Sequence, residues 1–108
     1  MTVSELAKKH GFTAVALPDA EREISGCYMG DLLSWVMGRA EADCAWLTIM
    51  SNVNIIAVAS LADVACIILT ENVGLDSEVA ETALAKGVNV LTSPLASYET
   101  AVAIAGDV

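Results

Sequence analysis

Ala45-Trp46-Leu47-Thr48-Ile49-Met50-Ser51-Asn52-Val53-Asn54-Ile55-Ile56-Ala57-Val58-Ala59-Ser60-Leu61-Ala62 is the stretch that decides the fold. Ala45–Met50 is an apolar run of strand length. Asn52 then stands where a side chain can cap a helix running from Val53 to about Ala62. The theme recurs downstream. Ala65–Leu69 reads as a strand, and Asp76 or Ser77 can cap a helix that reaches Lys86 and stops at Gly87. Val88–Leu91 reads as a strand, with Ser93 as cap and Pro94 as the first helical residue. That helix runs to Ala105, before Gly106. Apolar strands alternating with short helices predict βαβ units and a parallel sheet with right-handed crossovers.

The same stretch tests a different idea. Cys44 to Ala62 is 19 residues without a charge, close to the ~20 that span a bilayer. Ser51, Asn52 and Asn54 lie at its centre, where lipid could not satisfy them. Strand, polar turn and helix is the better physical reading, so no membrane segment is expected.

Upstream, Thr2-Val3-Ser4-Glu5 fits a capping box, with Gly11 placed to end the short helix that follows. Strands are predicted at Thr13–Leu17 and Ile24–Met29, with a turn starting at Pro18-Asp19. Gly30-Asp31 ends the second strand, and Asp31 can cap a helix over Leu32–Ala40. The sum is one α/β domain over residues 1–108, with a central mostly parallel sheet and helices on both faces.

Composition bounds the function. The 108 residues are 56% hydrophobic and 18% charged, which excludes disorder. Fourteen acidic residues against five basic ones give a net charge of -9. That balance argues against nucleic-acid or anionic-membrane binding, although backbone amides can still hold a small anion locally. Cys27, Cys44 and Cys66 are an odd, widely spaced set with apolar neighbours, predicting free, buried thiols in a cytoplasmic protein. With one histidine, His10, expected at the surface, no metal cluster has ligand spacing. Phosphate-loop, dinucleotide and nucleophile-elbow motifs are absent. No catalytic residue, metal or cofactor is therefore expected, and a kinase reading is excluded.

In parallel sheets, ligands bind outside the strand C-termini, where helix N-termini present amides. Those ends are polar here: Ser51, Asn52 and Asn54; Thr70 and Glu71; Thr92 and Ser93. Gly30 and Asp31 join them if the second strand runs parallel. The functional reading is a pocket for a small anionic or nucleotide-like ligand; the plain one is that the same residues are caps and turns. The helix Val53–Ala62 is apolar nearly all round, as for burial in both a core and a subunit interface, or wholly within one chain. Trp35 and Trp46 read as core, and Asp19, Glu21 and Glu23, interrupted by Arg22, as a solvated loop.

Three stretches resemble DRTGG-domain proteins. They are Glu23-Ile24-Ser25-Gly26-Cys27-Tyr28-Met29-Gly30-Asp31-Leu32-Leu33-Ser34, then Asn54–Ala59 followed by Ile67–Glu71, and finally Val90–Thr100. The Asp-Arg-Thr-Gly-Gly motif itself is missing, and its slot holds Ser51-Asn52-Val53-Asn54. The family resembles the N-terminal domain of HPr kinase/phosphatase, without the catalytic half. The resemblance implies a non-catalytic regulatory or ligand-sensing module that acts as a homo-oligomer, with a dimer as the default. Two alternatives stay open: an enzyme or enzyme subunit handling a phosphorylated or nucleotide-like molecule, and a protein-interaction adaptor.

Overall fold

Helix α1 (Val3–His10) opens a computed structural model that describes residues 1–108. Its capping box forms as the sequence predicts. The Glu5 amide donates to the Thr2 hydroxyl, the Thr2 amide donates to the Glu5 carboxylate, and Gly11 closes the helix at φ 69°. The other elements follow as β1 (Thr13–Ala16), β2 (Cys27–Met29), α2 (Leu33–Arg39), β3 (Ala45–Thr48) and α3 (Asn54–Ala62). Then come β4 (Cys66–Leu69), α4 (Ser77–Lys86), β5 (Val90–Thr92) and α5 (Ser97–Ile104).

The strands form one five-stranded sheet in the order β1-β5-β4-β3-β2. Strands β2 to β5 are mutually parallel and β1 closes the far edge antiparallel to β5, so the sheet is mostly parallel. Each face carries its own apolar cluster. Trp46, Ile67 and Val90 face α2, α3 and α4, whereas Leu47, Ile68 and Leu91 face α1 and α5. The residues of β3 and β4 are buried throughout, as expected of central strands covered on both sides. No helix is long and apolar enough to cross a membrane.

Several local expectations change. Strand β2 begins at Cys27 rather than Ile24, because the Ile24 amide is taken by the Met1 carbonyl and the Ser25 amide by that of Asp43. Helix α2 starts at Leu33 with no side-chain cap, since Asp31 turns its carboxylate to β3 instead. Helix α5 starts at Ser97, not at Pro94: the Ser93 hydroxyl accepts from the Leu95 amide and holds a turn there first. Trp46 is fully buried, but Trp35 is 52% exposed on the outside of α2, with the Arg39 guanidinium 3.8 Å from its ring centre. His10 is not a free surface residue. Its Nε2 lies 2.7 Å from Asp107, which also accepts from Lys9, and its ring stacks on Phe12.

The N-terminal ends of the strands are tied by two long-range devices. Arg22 donates to the Asp43 carboxylate at 2.9 Å and to both the carboxylate and the carbonyl of Asp63. It is not the solvated interruption of an acidic loop that the sequence suggests. Buried Asn89 donates to the carbonyls of Asp19 and Ala65 and accepts from the Asp19 amide.

Candidate functional site

Because β2 to β5 are parallel, their C-termini share one edge, and the candidate ligand residues named from the sequence lie along it. The edge is organised as two hydrogen-bonded groups. At β2 and β3, Asp31 Oδ1 accepts from the Thr48 hydroxyl at 2.7 Å and from the Ile49 amide at 3.0 Å. The Gly30 carbonyl accepts from the Trp46 indole at 2.9 Å, so the core tryptophan fixes where Asp31 stands. At β4 and β5, the Thr70 and Ser97 hydroxyls lie 2.7 Å apart, and the Ser93 and Thr100 hydroxyls 2.9 Å apart. Glu71 adopts φ 59°, its amide donating to the Leu95 carbonyl and its carboxylate accepting from the Ser97 amide. It thereby caps the start of α5 from another loop.

Between these groups lies the N-terminus of α3. Asn52 Oδ1 accepts from the Asn54 amide at 2.9 Å, the bond expected of a cap, although the regular helix starts one residue after Val53. Asn52 and Asn54 are exposed, Ser51 is half-buried, and Thr92 is half-buried within β5 opposite Thr13 of β1. Thr70 and Ser93 are fully buried, with their hydroxyls already engaged by neighbours. The predicted set therefore divides by availability. Asp31, Asn52, Asn54 and Glu71 present polar atoms outward, whereas Thr70 and Ser93 hold the frame.

Thr48, Ser97 and Thr100 complete both groups and were not singled out in the sequence. Ser97 was the findable one: a hydroxyl residue shortly after a proline turn is a common helix start. Three surface depressions lie away from this edge. One of about 220 Å³ is lined in part by Cys27, Arg39 and Glu41. Another of about 190 Å³ adjoins Arg22, Asp63 and Lys86. The third, of about 260 Å³, lies against Ile56 and Leu61.

All three thiols are free. Burial raises the pKa of Cys44 and of Cys66, leaving both protonated at neutral pH. Cys27 departs from the expectation of a buried thiol, because it sits exposed on edge strand β2. Enough chain still surrounds its sulfur to push its pKa up to about 11, so it is a weak nucleophile.

A mostly parallel sheet covered by helices on both faces defines an α/β domain. The chain belongs to the DRTGG domain family, whose family model matches residues 33–106. No curated protein matches it. Among solved structures it is similar to the CBS and DRTGG domains of the regulatory region of Clostridium perfringens pyrophosphatase, crystallised with the activator diadenosine tetraphosphate. The TM-score is 0.73 at 13% identity, over 94% of this chain and 44% of that one. This likeness shows the fold, and the chain spans less than half the length of that neighbour.

Proposed function

We propose that this chain is a non-catalytic regulatory module that senses a small anionic or nucleotide-like ligand and works as a homo-oligomer, by default a dimer. One observation carries the reading: nearly the whole chain shares its fold with part of a regulatory region that was crystallised with a nucleotide activator. The edge chemistry supports it. The outward carboxylates of Asp31 and Glu71 suit the hydroxyl and amino donors of a ribose and base. With the Asn54, Ile55 and Ile56 amides engaged within the turn, the exposed carboxamides of Asn52 and Asn54 are the donors that suit a phosphate, and at contact distance they outweigh a diffuse surface charge screened beyond ~8 Å. Three free thiols suit a reducing compartment, and we assign the chain to the cytoplasm.

Thermal shift against AMP, ATP and diadenosine tetraphosphate tests the reading. A ligand at 100 times its dissociation constant raises stability by about 2.7 kcal/mol. The double variant Asn52→Leu with Asn54→Leu, both at exposed positions, should abolish the shift while keeping a native circular-dichroism spectrum. An unchanged shift in a folded double variant would move the ligand elsewhere. Absence of any shift with all three compounds would refute nucleotide sensing.

A further inference from the structure

The two faces of the sheet are covered unequally. Helices α2, α3 and α4 lie over one face, and only α1 and α5 over the other. The shortage falls on β2. Tyr28 packs into the three-helix face, so strand alternation turns Cys27 and Met29 to the opposite side. Met29 stands in register with Leu47, which is fully buried on that side, yet Met29 itself is 51% exposed. Ile49, just beyond β3, is 45% exposed. On the same side, α5 shows Tyr98 and Val102 outward at 72% and 56% exposure. They are four residues apart and form one stripe.

We propose that this side docks a second copy of the chain about a two-fold axis, each copy laying the α5 stripe over the other's bare β2. The proposal rests on the homo-oligomer reading above and names its surface. One chain carries both a strip of sheet lacking a helix and a helix lacking cover, and an isologous contact satisfies both at once. Charge favours the same occupant. The whole chain carries -9, but Ser25–Gly30 has no charged residue and α5 has only Glu99. Two acidic copies can therefore meet here with few like charges at the centre of contact. A standard interface takes about 800 Å² from each partner. That is about 15% of the 5350 Å² surface, a share that one side of a molecule measuring 29 × 27 × 24 Å can supply.

Sedimentation equilibrium tests the surface, using Met29→Glu and Val102→Glu against the controls Leu61→Glu and Leu84→Glu. All four positions are exposed, and the controls lie on α3 and α4. The wild type should sediment as a dimer of 11.2 kDa chains. Met29→Glu and Val102→Glu should each weaken it about tenfold or more, with the controls unchanged. Maleimide labelling of Cys27 gives a readout that needs no variant: its rate in the wild type should fall as protein concentration rises and the strip is covered. A wild-type dimer dissociated by Leu61→Glu or Leu84→Glu, with Cys27 labelling independent of concentration, overturns this surface and leaves the oligomer reading intact. A wild type that stays monomeric overturns both and leaves the strip to a different protein.

Discussion

The two ends of the parallel strands use polar groups in opposite ways. At the N-terminal end, Arg22 and Asn89 come from distant segments and tie together carbonyls and carboxylates of separate loops. At the C-terminal end, hydroxyls pair with each other, Thr70 with Ser97 and Ser93 with Thr100, while Asp31, Asn52 and Glu71 keep atoms facing water. The first end commits its polarity to architecture. The second holds some in reserve, which the proposed ligand site requires.

The largest expected effect tests the architectural end. Asn89→Ala removes the side-chain partner of the Ala65 carbonyl and of the Asp19 amide, leaves the Asp19 carbonyl with only the Arg22 amide, and should cost about 3 kcal/mol in urea unfolding. A cost smaller than that of Ser93→Ala would reverse the comparison. Arg22→Ala comes next, at about 1–2 kcal/mol, because its partners are partly solvated. The two carboxylates raise the pKa of Arg22, so its contribution is present at every pH below the usual arginine range and lost only above it. The loss on Arg22→Ala should therefore be equal at pH 6 and pH 9. At the C-terminal edge, Asn52→Leu alone should cost about 1 kcal/mol, the worth of one cap, and a larger loss would make Asn52 architectural too.

The smallest effect concerns α1. Hydrogen bonds from Thr2 hold the Glu5 pKa below 4.5, and those from Lys9 and His10 hold that of Asp107 below 3.8. Both contributions are present above those ordinary values and fade as pH falls through the lowered native ones. Amide exchange in α1 should accelerate below about pH 4 before exchange in β3 and β4 does. Simultaneous loss of protection would show that α1 is not a separate unit.

What was legible in the sequence was local or periodic. The Thr2–Glu5 capping box, the strand–helix alternation after Ala45 and the shared strand ends all follow from neighbours within a turn or two. What was not legible depended on remote partners. Asp31 abandons its own helix because Thr48 stands beside it in the sheet. Arg22 finds Asp43 and Asp63, 21 and 41 residues away. Pro94 sits in a turn because Glu71 reaches the Leu95 carbonyl and the Ser97 amide. Cys27 has the apolar neighbours of a buried thiol, but burial also needed a helix that the chain does not place over β2.

The position of β1 has a consequence for synthesis. Strand β1 is made before any other strand, yet Thr13 pairs only with Thr92 of β5, and Lys9 of α1 meets Asp107 across 98 residues. At ~5–20 residues per second on the ribosome, this early segment waits seconds for its partners. The later βα units can meanwhile assemble on one another. The opening helix and strand can thus complete their contacts only after β5 and Asp107 have emerged.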